Sequence, residues 1–143
     1  MKNTIDIRLI KPSEILTILP LVSILGDFKI SEAVLKERIL EMASQNYACA
    51  GIYDDEALIG CSGLWFQTRH YAGRSIEMDH VIVLDSYRNQ GIGAKLLDFV
   101  YDYAKEKVCR WVELNTYVHN FASHKFYYNH GFVAKGYHFV KEL

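Results

Sequence analysis

The chain has 143 residues, half of them hydrophobic and 13% aromatic, with 16 basic and 17 acidic side chains and a formal net charge of −1. This length suits one domain, able to bury roughly 68–70% of its unfolded surface without a disulfide or metal. The balanced charge, with no basic block, argues against a nucleic-acid or membrane-surface role, and no apolar run approaches the ~20 residues of a membrane span.

The opening MKNTIDIRLI is charged and alternating, a strand over residues 4–10 rather than a secretion signal. Pro12 and Ser13 open a helix to about Leu25, with Ile15, Ile18, Leu19 and Val22 at helical spacing and Gly26-Asp27 as the break. Ser31 caps a second helix, SEAVLKERILEMA, whose Val34, Leu35, Arg38, Ile39 and Met42 form an amphipathic face. Over residues 46–66 two strand-like runs flank DDE, a hairpin turn; YAGR at 71–74 is a second turn, leading into the strand SIEMDHVIVL at 75–84. The helix from Gly91 to about Lys107 carries one stripe, Ile92, Leu96, Val100 and Ala104, with Lys95, Asp98, Asp102 and Glu106 on its solvated face. RWVELNTYV at 110–118 is a strand parallel to 75–84 across that helix. A short helix follows from about Asn120 to His130, ended by Gly131, and FVAKGYHFVKEL closes the chain as one or two strands. The order βααβββαβαβ(β) makes an α/β domain around a mixed sheet.

Cys49, Cys61 and Cys109 are odd in number and lack C-x-x-C spacing, so they read as buried, reduced thiols of a cytoplasmic protein. The six histidines, among them His119, His124, His130 and His138, show no ligand spacing such as H-E-x-x-H, and no metal is expected.

The stretch SYRNQGIGAKLLDF, residues 86–99, carries the clearest chemistry. Gly91 and Gly93 stand at a helix entrance, where unpartnered N–H groups and the helix dipole favour an anion. Without side chains there, a phosphate can approach the backbone, and Arg88 adds a positive charge. The stretch reads as a pyrophosphate cradle. It is not a Walker A loop, and Leu96 occupies the place of the third Rossmann glycine. Read on Gly-Ile-Gly alone, an ordinary tight strand–turn–helix stays open.

The run Y-R-N-Q-G-I-G-A-K-L-L resembles the R/Q-x-x-G-x-G/A signature of the GNAT N-acetyltransferases. Farther on, N-F-A-S-H-K-F-Y-Y-N-H-G-F resembles that family's second signature through Asn120, Tyr127, Gly131 and Phe132. The resemblance covers nearly the whole chain and implies a single GNAT domain over 1–143. It implies a mixed sheet of six or seven strands flanked by about four helices, with strands 75–84 and 110–118 splayed. It further implies acetyl-CoA as cosubstrate, its pyrophosphate on the backbone of Asn89, Gln90, Gly91, Ile92, Gly93 and Ala94 beside Arg88. The pantetheine arm would lie along Val81, Ile82 and Val83, and Asn120 would contact the cofactor.

Acetyl transfer to an amine has a proton problem. With a Lys-like pKa of ~10.4, about one amine in 10³ is a nucleophile at neutral pH, a penalty of roughly 4–5 kcal/mol. A base must take the proton, and an acid should protonate the departing thiolate. Glu77 resembles, by its place on the strand, the glutamate base of histone acetyltransferases in this family. Asp79 shares its face by parity and is the second candidate, with a paired surface carboxylate as the plainer reading. By the same parity His80 faces the other way, a satisfied core or interface histidine. Tyr127 matches the family tyrosine near the CoA sulfur and is the candidate acid; Tyr128, displaced by ~100° on the helix, does not substitute for it.

The last thirty residues resemble the tail of small aminoalkylphosphonate N-acetyltransferases, with Ser123 in place of an alanine before His124. The expected acceptor is a small-molecule primary amine, bound among residues 12–45 and 67–74, with no nucleic acid or membrane partner and a homodimer among the assemblies allowed. A protein lysine or N-terminal acetyltransferase and a non-catalytic CoA-binding module remain the alternatives.

Overall fold

The computed structural model describes residues 4–143. The chain forms two compact units, one ending at Glu113 and one from Leu114 to Leu143. In the first, β1 (Ile5–Leu9), β2 (Tyr47–Asp54), β3 (Ala57–Arg69) and β4 (Gly73–Val83) form an antiparallel sheet in chain order. β5 (Trp111–Leu114) follows beside β4 as its parallel neighbour. Arg110 N–H donates to the Arg74 carbonyl at 2.8 Å, so β5 starts near the beginning of β4 and ends before Val81.

Pro20 splits the first predicted helix. It lacks an N–H, and its ring crowds the preceding turn, so residues Pro12–Ile18 form a 3₁₀ segment and α1 begins anew at Leu19–Leu25, with Pro20 in its first turn. α2 (Glu32–Ala43) is capped as expected: the Ser31 hydroxyl accepts from Val34 N–H at 3.3 Å. Its buried stripe is narrower than predicted. Leu35 and Ile39 are buried, whereas Val34 and Arg38 are exposed. With α1 and the 3₁₀ segment, α2 covers one sheet face over a core of Ile10, Ile15, Ile18, Leu21, Ile39, Cys49, Cys61 and Ile82.

α3 (Ile92–Glu106) buries Ile92, Leu96, Leu97, Val100 and Ala104, the predicted stripe widened by Leu97. It covers the opposite face, where Tyr103 meets Phe66 of β3 edge-on at 5.8 Å. Cys49 and Cys61 are buried free thiols, while Cys109 is only half-buried.

In the second unit, α4 (Phe121–Asn129) ends before Gly131, which takes φ +87°. Two expectations fail here. The strand foreseen over 110–118 stops at Leu114, and residues 132–143 form no strand, so the described sheet has five strands rather than six or seven. Alternation shows which side chains could share a face. It does not show whether another strand offers its N–H and C=O groups to complete a ladder.

Candidate active site

The cradle follows from backbone geometry. After β4 a short 3₁₀ turn, Asp85–Tyr87, is tied back to β2 by the Tyr87 hydroxyl, which donates to Asp54. The chain then passes through left-handed Asn89 (φ +61°) and Gly91 (φ +74°), the N-cap of α3. The positive φ favours glycine at 91, and a Cβ there would meet nothing within 4 Å. The space beside this helix entrance is therefore open to a ligand, and the first turn holds no acidic residue that would repel an anion. Arg88 is exposed and pairs with Asp85 at 3.1 Å. Arg88, Asn89, Gln90 and Gly91 are exposed; Ile92 is buried as the first anchor of α3; Gly93 and Ala94 are half-buried. These residues fit a pyrophosphate held by backbone N–H groups.

Register places the candidate bases. Tyr47 of β2 stands opposite Trp65 of β3, and Trp65 opposite Glu77 of β4; one row over, Cys49 faces Gly63 and Gly63 faces Asp79. Glu77 and Asp79 thus share the face of the sheet covered by α1 and α2. Gln67 Nε2 donates to Glu77 Oε1 at 2.9 Å. Arg69 lies between two carboxylates, 3.8 Å from Glu77 and 2.7 Å from Glu113. Asp79 is more exposed and accepts from Trp65 Nε1 at 3.2 Å and from His80 N–H at 2.9 Å.

His80 breaks the predicted alternation. Gly63 pairs with Asp79 and Cys61 with Ile82, so His80 and Val81 together oppose Ser62 alone: a β-bulge. The extra residue, with His80 at φ +36°, turns the imidazole onto the face of Glu77 and Asp79 instead of the other one. There the ring lies over Gly63, where a Cβ would collide with Nε2. Tyr47 Oη is 2.8 Å from Nε2, while Nδ1 is buried without a hydrogen-bond partner. Burial pushes the imidazole pKa below its ordinary value, with the Asp79 charge opposing. Burial likewise pushes the Tyr47 hydroxyl well up, so it stays protonated. Beyond the bulge Ile82 is buried, and Val81 and Val83 are half-buried.

Sequence reasoning missed Tyr47, Trp65, Gln67, Arg69 and Glu113. The available signal was parity on the neighbouring strands, together with a glycine in the middle of a strand, at 63, a common mark of a bulge or close approach.

In the second unit, Asn120 is the N-cap of α4, its side-chain oxygen accepting from Ser123 N–H at 3.3 Å. The Tyr127 ring packs edge-on against Phe126 at 5.2 Å and Phe132 at 5.4 Å. Among the described residues no three His, Cys, Asp or Glu side chains cluster as a metal site, and no helix is long and apolar enough to cross a membrane.

Several solved structures share the whole fold. The aminoglycoside N-acetyltransferase AAC(6')-Iy, solved in complex with CoA, superposes with a TM-score of 0.86 at 18% identity over 100% of this chain and 97% of its own. A ribosomal-protein-alanine N-acetyltransferase from Brucella melitensis biovar Abortus gives 0.82 at 20% identity over 98% and 99%. A GNAT family acetyltransferase from Staphylococcus aureus gives 0.76 at 22% over 97% and 98%. No curated protein matches the sequence. A sequence profile described as the Acetyltransferase (GNAT) family matches residues 21–132. With its glycine-capped helix entrance and its β-α-β frame, this chain belongs to the GNAT acetyltransferase family and uses acetyl-CoA as cosubstrate.

Proposed function

We propose that the protein moves the acetyl group of acetyl-CoA to a primary amine of a small molecule. The observation that carries this reading is the open helix entrance at Gly91 at the end of a strand that also bears Glu77 and Asp79 on one face. Backbone N–H groups of residues 89–94 would hold the pyrophosphate, and Val81 to Val83 would lend backbone groups to the pantetheine arm. At ~3.3 Å per residue, that run directs the arm back toward the bulge and the carboxylates. The thioester supplies the acyl group; the chain supplies orientation and proton transfer.

Glu77 takes the proton that makes the amine a nucleophile, with Asp79 as second candidate. Trp65, Tyr47 and these carboxylates offer an aromatic and acidic wall, which suits a cationic acceptor. Tyr127 gives a proton to the leaving thiolate, a role carried over from its match to the family signature. The tail's likeness to aminoalkylphosphonate N-acetyltransferases places that amine class first in a screen that also holds aminoglycosides, polyamines and peptides. Turnover of peptides alone would replace the small-molecule reading with protein acetylation. CoA binding with no turnover of any amine would favour a binding module.

Two results are expected. CoA raises the melting temperature of the wild-type chain by mass action. In Gly91→Val the protein still folds, because the Cβ meets open space, but the strained φ deforms the cradle and the CoA shift disappears. Equal shifts in a thermal scan of both proteins would remove the cradle from the argument. In Glu77→Gln, activity falls most near neutral pH and recovers as pH rises and free amine forms unaided. Asp79→Asn has the smaller effect. A rate–pH profile of Glu77→Gln that overlays the wild type would exclude Glu77 as base.

A further inference from the structure

We propose that Tyr47 and His80 form a second proton outlet of the acceptor site: the amine proton passes to the Tyr47 hydroxyl oxygen as that hydroxyl's own proton moves to His80 Nε2. The proposal rests on the acetyl-transfer reading above and deepens it.

Three independent features point to His80. Its backbone is held at φ +36°, a conformation uncommon for residues with a side chain, which the bulge imposes here. The strand opposite is stripped to glycine beneath the ring, and any Cβ at Gly63 would collide with it. The half-buried ring also has its Nδ1 buried without a partner and its Nε2 on Tyr47 at 2.8 Å. A core histidine kept only for packing has no use for a strained backbone, a vacated neighbour and an unsatisfied nitrogen together.

The reaction releases a second proton that a further acceptor can take. An ammonium substrate loses two protons from nitrogen as the N–C bond forms and the C–S bond breaks. The first leaves before attack, to Glu77. The second is released as the new bond forms. Tyr127 gives its own proton to the CoA sulfur and is recharged from solvent; Glu77 releases its proton to solvent and His80 returns its proton through Tyr47 once product has left, so that one proton is released in all. Tyr47 is suited to the second transfer. Its half-buried ring packs on Trp65 at 4.9 Å, in the same cross-strand row as Glu77, and its hydroxyl is 2.8 Å from His80 Nε2, which accepts in the Nδ1–H tautomer that the relay uses. The titratable groups facing His80 are Tyr47 from β2, Cys61 from β3, whose thiol points to the His80 carbonyl at 3.9 Å, and Asp79 beside it on β4; Cys49 lies next to Tyr47. Bonding to Cys49 and burial hold the Cys61 thiol protonated, which leaves Asp79 as the charge acting on the ring.

The test uses the full chain, acetyl-CoA and an amine found by the screen. Tyr47→Phe removes one hydroxyl, and His80→Asn keeps a residue that tolerates positive φ. Each should lower kcat at neutral pH by roughly 10²-fold, the low end for general acid–base catalysis, with little change in KM for acetyl-CoA. The double variant should be no worse than either single one, as expected of groups acting as a unit. The acid limb of the wild-type kcat profile should lose the His80 contribution in His80→Asn and keep the part set by Glu77. By NMR the His80 imidazole should titrate below the ordinary histidine range and shift in Tyr47→Phe. Folded single variants with wild-type kcat, or losses that multiply in the double variant, would overturn the proposal while leaving acetyl transfer intact. A wild-type chain that acetylates no amine would overturn both.

Discussion

Tyr127→Phe is expected to lower kcat by ~10²–10⁴-fold, the range typical of a lost general acid, with CoA affinity nearly unchanged. The substitution keeps the ring and its edge-on packing against Phe126 and Phe132, so α4 should hold its fold. Tyr128, one position along the helix and 59% exposed, should accept Phe with little effect. Steady-state kinetics on the two variants, with CoA affinity from calorimetry, separate the acid from its neighbour. An unchanged kcat for Tyr127→Phe, with chemistry shown to be rate-limiting, would return that ring to a packing role.

Leu96→Ala should give the largest loss of stability, about 2–5 kcal/mol. Leu96 is 2% exposed at the centre of the buried stripe of α3, so truncation removes apolar contact and leaves a cavity between helix and sheet. Against a typical total of about 5–15 kcal/mol this is a substantial share. Because α3 presents the cradle at its first turn, the variant also tests whether cradle and core are one cooperative unit. Urea unfolding with and without CoA should show a lower midpoint in both conditions, with the ligand-induced gain retained. A midpoint within error of wild type would mean that α3 is not packed as described.

The site was legible where chemistry depends on the chain's own local rules. Gly91 announced a side-chain-free helix entrance through its place before an apolar stripe, and Ser31 announced a cap. Glu77 and Asp79 shared a face because β4 is regular up to Asp79. Legibility ended where two strands must agree. The bulge that turns His80 is a property of β4 against β3, and only the glycine at 63 hinted at it. Pro20 was readable, since a residue without an N–H cannot sit inside a continuous helix, but the apolar spacing around it masked the break. The closing segment alternates like a strand, yet alternation cannot create the neighbour that a strand needs.

The two tryptophans of the chain, Trp65 and Trp111, differ in a way that makes one of them an optical reporter. The indole of Trp65 donates to Asp79 and packs on Tyr47, so its emission should change when a cation settles beside that carboxylate. Trp111 lies edge-on to Tyr71 at 6.3 Å, on β5. In Trp111→Phe the tryptophan fluorescence, excited at wavelengths where tyrosine absorbs little, would come from Trp65 alone. Titrating amines into that protein would then test which of them bind at the proposed acceptor face, independently of whether acetylation follows.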